Sequence, residues 1–331
     1  MTLQIISTKD SLVWDFYLEQ VDRYDIYHTC LYHSLCTEGD SRLLVFQEKE
    51  SIMLLPLVFR KIPGTDWMDV TSVYGYVGWV SRHPAFTPEL FDLLEEYLIE
   101  QKVVSVFSRL HPFIDQSDCF LKGEVKVSNI TTGIDMSLSP LEQVAGYSRS
   151  VRYQISKSKR EGVEVFPAET IEDLHCFVDI YLETMKRKEA PNYYLFPNQY
   201  FEQLWQNNSF QTIVLLAKLN GEVIAGGMFT ICQGIMQYHL GGVRSDCLQY
   251  SPLKVLIDEA RKRAIEEGCA YFHLGGGYGG MDDHLFVFKS RLTTVRYSFK
   301  TFRWIINQKH YNLLSKEKKD VTFFPLYRSI D

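Results

Sequence analysis

A mixed α/β chain of two similar domains around a shared cleft is what this sequence predicts, on three observations. The first is length: 331 residues suit two domains or one large one, with ample chain to bury a core. The second is an order of elements that occurs twice, over 42–108 and over 212–274: a hairpin, a third strand running into glycines, a helix opened by proline, and an apolar strand. The third is that each of those apolar strands delivers polar side chains or bare glycine backbone to its carboxyl end. The boundary this implies gives domains 1–138 and 139–331.

Composition narrows the function. At 46% hydrophobic and 23% charged the chain reads as globular, and a net charge of -6 argues against bulk attraction to nucleic acid or an anionic membrane, so any such contact is a local patch. Aromatics reach 14%, which favours sheets and clefts able to stack on a polar ligand. The 7 cysteines form no CxxC pair and no metal-ligand spacing, and their odd count does not suit a disulfide framework, so a reducing compartment is expected. The start, MTLQIISTKDS, has no basic and apolar leader pattern, and the longest apolar run, Ile52 to Phe59, is too short to span a bilayer. These features predict a cytoplasmic protein without a membrane span; oligomeric state stays open.

In the first half a helix is expected from about Leu12 to Gln20, followed by a hairpin of Arg42 to Gln47 and Ser51 to Arg60 about the turn EKE. Pro56 predicts that the second strand is an edge or carries a bulge. In DVTSVYGYVGWV, read as the third strand, Tyr74 and Tyr76 are either core packing or a pocket lining beside flexible glycine backbone. Thr87 and Pro88 open a helix with an apolar stripe at Leu90, Leu93, Leu94, Tyr97 and Leu98. The strand Val103 to Phe107 then delivers Ser108, Arg109 and His111. Arg109 is either structurally paired or a clamp for phosphate or carboxylate.

Ser139, Pro140 and Glu142 form a capping box that opens helical sequence with a break near Gly146 and a stop at Gly162. It carries Arg149, Arg152, Lys157, Lys159 and Arg160, which are either a solvated face or an anion site. Thr170 caps the next helix, and a short one is expected around Phe201 to Trp205. Thr212 to Leu219, Asn220-Gly221 and Glu222 to Ile231 read as a hairpin with a type I′ turn. A strand from Gly234 to Leu240 runs into Gly241 and Gly242, and Ser251 with Pro252 opens a helix that Gly268 stops.

The stretch CAYFHLGGGYGGMDDHLFVFKSR, from Cys269 to Arg291, holds the strongest functional signal. A short apolar strand, Cys269 to Leu274, breaks into glycines, and Gly276 and Gly277 are candidate backbone for close approach of a ligand. Gly275, Gly277 and Gly280 satisfy G-x-G-x-x-G, but DDHLFVFK rather than a clear helix follows, and Lys300 stands about where a dinucleotide fold needs an acid. Asp282, Asp283 and His284 come next, then Phe288 and Lys289, a cation in an apolar run whose partial desolvation would strengthen its field on an anion or oxyanion.

The second-half order of hairpin, strand, helix and strand is that of the GNAT acyltransferase fold. TMKRKEAPNYYLFPNQYFEQLW, LAKLNGEVIAGGMF, SPLKVLIDEARKRAIEEGCAYFHLGGG and FVFKSRL resemble the carboxyl-terminal domain of FemAB-like transferases, and DVTSVYGYVGWV with FSRLHPF resembles the amino-terminal domain of their relatives. The resemblance implies two tandem GNAT-like domains and an N-acyltransferase that moves an aminoacyl or acyl group onto an amine of a cell-envelope precursor, a peptidoglycan precursor or a nucleotide-linked amino sugar. It implies no resident cofactor, an acyl donor as co-substrate (aminoacyl-tRNA or acyl-CoA), a phosphate-bearing acceptor, and tRNA as a candidate partner. Phe288-Lys289 matches the family's FK pair, with Lys289 facing phosphates or the reacting carbonyl, and Arg149 and Arg152 match its basic entry to the second domain. Arg109, Tyr74 and Tyr76 are then candidates to position the acceptor. Asp282, Asp283, His284, Tyr238 and His239 are a pool of proton-relay candidates, of which Asp283, His284 and Tyr238 lead. Two departures stand out: Asp246 to Ser251 replaces the R/Q-x-x-G-x-G/A pyrophosphate loop, and 190–211 is too short for the helical arm of some FemA-type proteins. The competing expectations are an acetyl-CoA-dependent amino-sugar N-acetyltransferase and a non-catalytic precursor- or RNA-binding module on the same fold.

Overall fold

Strand pairing in the computed structural model, which describes residues 1–83, 88–116, 122–277, 283–318 and 323–329, repeats one pattern in two units. The first half of the chain runs β1 (Thr2–Ser7), α1 (Ser11–Leu18), α2 (Cys30–Ser34), β2 (Asp40–Glu48), β3 (Ser51–Lys61), β4 (Met68–Thr71), β5 (Val80–Arg82), α3 (Pro88–Glu100) and β6 (Val103–Arg109). Next come β7 (Glu124–Asp135), α4 (Pro140–Ala145), α5 (Arg149–Arg160), β8 (Glu164–Pro167), α6 (Ile171–Arg187) and α7 (Asn198–Trp205). The remainder is β9 (Gln211–Leu219), β10 (Glu222–Cys232), β11 (Ile235–Val243), α8 (Pro252–Glu266), β12 (Tyr271–Gly275), α9 (His284–Ser290), β13 (Arg296–Ile305) and α10 (Gln308–Leu314).

Met1–Asn129 and Ser298–Asp331 make the first unit and Ile130–Tyr297 the second, so the chain passes between units inside β7 and inside β13 rather than near 138/139. Within the first unit β1, β2, β3 and β4 pair antiparallel in that order, β4 pairs parallel with β6, and β13 closes the sheet antiparallel to β6. Within the second, β8, β9, β10 and β11 pair antiparallel, β11 pairs parallel with β12, and β7 closes it antiparallel to β12. The order is the same in both, and each closing strand is supplied by the opposite half of the sequence.

Local chemistry explains most elements. The capping boxes at Ser139 and Thr170 form, satisfying amide hydrogens that have no partner inside their helices. Asn220 (φ 51°) and Gly221 (φ 86°) are both left-handed, as the hairpin turn between β9 and β10 requires. Ser251 instead sits at φ 50° with no side-chain cap bond, so α8 starts on its proline alone. Thr87, expected to cap α3, lies outside the described residues. Pro56 falls inside β3, an interior strand: β5 pairs with Ile52–Leu54 and β4 with Val58–Lys61 on the same edge, and the proline occupies the gap. The third strand of the first unit is short, because Gly75 (φ 121°) and Gly78 (φ 70°) turn the backbone out after Thr71. A Cβ on Gly75 would lie 2.2 Å from the Tyr27 ring.

The cores sit between sheet and helices. In the second unit Val151 and Ile155 of α5 and Leu256 and Ala260 of α8 pack with Phe229 and Phe272; in the first, Phe91, Leu94 and Leu98 of α3 pack with Leu44, Phe59 and Trp304. The tail of the first unit is fixed by charge: Asp69, wholly buried, accepts from Arg60 Nε at 2.9 Å and Arg328 Nε at 2.7 Å. Asp69→Ala leaves both guanidiniums without that partner and is expected to lower unfolding free energy by about 3 kcal/mol in urea melts; a change under about 1 kcal/mol would show that solvent compensates them. Among the described residues no helix is long and apolar enough to cross a membrane.

Candidate functional site

In the second unit β11 and β12 pair only from Ile235–Tyr271 to Gln237–His273, after which β11 runs on to Val243 without β12 beside it. Each strand carries an extra residue at that level. Against β10 the register slips so that His239 lies between the pairs Phe229–Tyr238 and Met228–Leu240; against β7 it slips so that Leu274 lies between His273–Gly133 and Gly275–Thr132. Bulges of this kind bend a strand and re-aim its side chains. Gly275, at φ 83°, continues the turn outward.

Lys289 lies at this parting. The sequence reading put no helix after the glycines, yet α9 forms there, because the Asp283 carboxylate accepts from the Phe286 amide at 2.8 Å and caps it. The helix turns Lys289 inward: its side chain is buried, Nζ donates to the Gly276 carbonyl at 3.0 Å, and Nζ stands 5.8 Å from the Tyr238 ring centroid. Burial pushes its pKa down to about 8, with Asp283 pulling the other way. A cation so poised has a strong field and few competing waters. Tyr238 is stacked 5.4 Å from Phe229, and burial raises its hydroxyl pKa well above the ordinary range. A side chain at Gly241 would meet the Tyr238 hydroxyl at 2.2 Å, so glycine there admits the phenol.

The other residues singled out in the sequence divide. Phe288 is half-buried against the core, with Lys254 Nζ 5.8 Å from its ring centroid. Gly276 supplies the carbonyl that holds Lys289, and Gly277 follows it; Asp282, Gly279 and Gly280 lie outside the described residues. His284 is exposed at the first turn of α9. Arg109, Tyr74 and Tyr76 belong to the first unit: the Arg109 guanidinium lies 5.2 Å from the Phe107 centroid, Tyr76 packs edge-on to Tyr27 and Phe299, and Tyr74 is exposed.

The basic helix α5 is not uniform. Arg152 donates to the carbonyls of Ala145 and Tyr147, closing the end of α4, and Lys159 is paired with Asp258 at 3.1 Å. Arg149 is exposed at the first turn of α5. Arg149→Ala is therefore expected to leave the thermal midpoint unchanged and to flatten the salt dependence of anion binding, whereas Arg152→Ala costs about 1 kcal/mol of stability; equal midpoints for the two would contradict the division. Sequence reasoning missed Lys254, which is half-buried, donates to Gln154 Oε1 at 2.6 Å, and has its pKa lowered by burial and then by Arg291. It lies beside a cleft of about 150 Å³ lined by Ser150, Tyr153, Gln154, Lys157 and Ser158 of α5 and by Gln249 and Ser251. No local signal marked Lys254, which reads as an ordinary charge on an amphipathic helix.

Residues 145–284 match the acetyltransferase (GNAT) domain family. No curated protein matches the chain by sequence. Among solved structures the chain is similar to FemX at TM-score 0.71 and 14% identity, covering 95% of this chain and 99% of that one. It is similar to L-PGS from Bacillus licheniformis at TM-score 0.60 and 14% identity over 94% of this chain and 95% of that one. A tandem GNAT protein from the clavulanic acid biosynthesis pathway aligns at TM-score 0.51 and 9% identity, covering 92% and 99%. At these identities the likeness is one of fold.

Proposed function

We propose that this GNAT acyltransferase, whose signature domain occupies residues 145–284, moves an aminoacyl or acyl group from a phosphate-bearing donor onto an amine of a cell-envelope precursor. The observation that carries the reading is Lys289, a buried cation at the parting of two parallel strands, with no carboxylate within ion-pair distance among the described residues. Acyl transfer needs a fixed positive group where the tetrahedral oxyanion or the donor's phosphate comes to rest, and a preorganised cation in a low-dielectric site serves that need without reorganising. The FK pair at Phe288-Lys289, by its resemblance to that of FemAB-like transferases, supports an aminoacyl donor carried on tRNA.

The segment before α8 supports the same donor. Ser245–Tyr250 is wound into a 3-10 helix in which the Cys247 amide bonds the Arg244 carbonyl and the Ser251 amide bonds the Leu248 carbonyl, while the Tyr250 carbonyl accepts from Ser158. Amide hydrogens turned into their own helix are not offered to a pyrophosphate, as those of a glycine-lined loop are. The second reading, acetyl-CoA as donor and an amino sugar as acceptor, is favoured by the description of the matched family as acetyltransferases.

One experiment separates them. The protein is incubated in parallel with radiolabelled aminoacyl-tRNA and with radiolabelled acetyl-CoA, each against peptidoglycan precursors and nucleotide-linked amino sugars. Label reaching an acceptor from tRNA is the expected result; label from acetyl-CoA alone selects the second reading. No transfer in any arm overturns both and leaves a binding module.

A further inference from the structure

We propose that the cleft between α5 and residues 245–251 seats an unpaired nucleotide of the donor RNA, its base stacked on Tyr153 and its flanking phosphates met by Arg149 and Lys157. The inference rests on the reading of aminoacyl-tRNA as donor and says where that donor is held.

Size comes first. At about 150 Å³ the cleft is smaller than the roughly 300 Å³ of a pocket that encloses a whole small molecule, so it suits one ring of something larger. One wall is a stripe of α5 in which Ser150, Tyr153, Gln154 and Lys157 recur at helical spacing, and the other is Gln249 and Ser251. Tyr153 is 62% exposed although its ring is large, and no other ring packs on it among the described residues. An open aromatic face on a basic helix is a platform on which any base can stack. The edges of a base find both kinds of partner here. Gln154 accepts from Lys254 through Oε1 at 2.6 Å, which leaves its amide hydrogens to donate, and Gln249 donates Nε2 to the Asp246 carbonyl at 2.7 Å, which leaves its Oε1 to accept.

Charge points the same way. The chain carries a net -6, yet α5 holds Arg149, Arg152, Lys157, Lys159 and Arg160 and no acid. Arg152 and Lys159 are committed, to the Ala145 and Tyr147 carbonyls and to Asp258. Arg149 makes no ion pair or hydrogen bond among the described residues, and Lys157 keeps only a loose, solvent-exposed pair with Glu161 at 3.6 Å. These two stand one turn before and one turn after Tyr153, about 6 Å from it along the axis, where the phosphates on either side of a stacked base meet charge. Lys254 joins the cleft to the parting, since it bonds Gln154 and stands 5.8 Å from the ring centroid of Phe288, the neighbour of Lys289. A strand seated on Tyr153 therefore lies on the same face of the second unit's sheet as the buried cation. A lipid surface also attracts basic helices, but a flat surface cannot enter a recess walled by amides and hydroxyls.

The test uses the full-length protein and two labelled RNA stem-loops that differ only in a short unpaired 3′ tail. The parent should bind the tailed RNA more tightly than the blunt one. Tyr153→Ala should weaken the tailed RNA about 10-fold or more and the blunt one little, with Tyr153→Phe restoring the difference. Arg149→Ala and Lys157→Ala should each lower the slope of log affinity against log salt by about 0.7, the value for one single-strand phosphate. In transfer from aminoacyl-tRNA, Tyr153→Ala should raise KM by about 10-fold and leave kcat little changed, the mark of binding lost equally from ground and transition states. Because the ring is exposed, the thermal midpoint of these variants should stay at the parent value. A parent with no preference for the tail overturns the proposal, and so does equal affinity of parent and Tyr153→Ala for the tailed RNA. An equal loss for both RNAs overturns it too, because the face would then attract any polyanion. If Tyr153→Ala weakens acetyl-CoA or phosphatidylglycerol vesicles and spares the tailed RNA, the cleft belongs to that ligand and the proposal falls. A parent that binds the tail through Tyr153 but transfers nothing faults the acyl-transfer reading and keeps the site, whereas an active parent with an unimpaired Tyr153→Ala faults this inference alone.

Discussion

Lys289→Met should raise the thermal midpoint while slowing acyl transfer by about 100- to 1000-fold, the cost of losing one oxyanion or phosphate donor. The two effects have one cause. The lysine pKa falls from an ordinary 10.5 to about 8 on folding, which corresponds to about 3 kcal/mol by which the folded state disfavours the charged amine. Because the folded pKa is the lower one, that cost is fully present below pH 8 and is relieved as pH rises from 8 toward 10.5. Methionine keeps the aliphatic packing and removes the charge, at the expense of leaving the Gly276 carbonyl without its donor, a loss of about 1 kcal/mol. A net gain of about 2 kcal/mol at neutral pH is expected, and it should vanish above pH 10. Lys289→Arg should not restore the rate, because a planar guanidinium cannot occupy the place of a compact ammonium. Transfer rate and melting are measured on the same preparations. A lower midpoint together with parent-rate transfer by the folded fraction would make Lys289 a structural residue.

Acid should destabilise the first unit well before its carboxylates titrate. His28 and His33 are buried, and their pKa values fall from an ordinary 6.5 to about 4 and about 3. For His28 burial acts first and then the neighbouring His111, with Asp25 offsetting in part; for His33 burial acts first and then His28. His28 Nδ1 accepts from the Asp25 amide at 3.1 Å and its Nε2 donates to the Val77 carbonyl at 3.0 Å, the pattern of a neutral ring, and His33 donates to the Tyr27 carbonyl through Nε2 while its Nδ1 has no hydrogen-bond partner among the described residues. A histidine whose folded pKa is depressed favours the fold in full above the unfolded pKa and loses that advantage as pH falls below it. From pH 6.5 to 5 each therefore withdraws about 2 kcal/mol, and the loss continues toward pH 4. Urea unfolding across pH 7 to 4 should steepen accordingly. His33→Asn should be less stable at pH 7 but show a shallower slope, by about one proton; an unchanged slope would mean that His33 does not titrate on unfolding.

Much of the architecture is written locally, and local physics explains why it could be read. The capping box at Ser139, the cap at Thr170, the Asn220-Gly221 turn and the apolar stripe of α3 depend on neighbours within a few residues, and each forms where the sequence predicts it. The twofold recurrence of hairpin, strand, helix and strand was legible for the same reason, and so was Lys289 as an exceptional cation in an apolar run. Long-range pairing decided the rest. The exchange of closing strands, β13 onto β6 and β7 onto β12, joins segments far apart in sequence, so periodicity within either strand carries no sign of its partner. The one-residue register slip that aims His239 at Tyr200 exists only because Met228 and Phe229 face Leu240 and Tyr238 across a ladder. Arg149 and Arg152 look alike in the chain and both are exposed; only the turn between α4 and α5 brings the Ala145 and Tyr147 carbonyls to Arg152 and makes it the clasp of α4. What the sequence determined was which segments form and which side chains are chemically unusual, because those follow from local backbone and side-chain preferences. What the tertiary structure alone decided was which of those side chains share a wall of one gap, because strand register and burial are set by pairing between segments rather than within one.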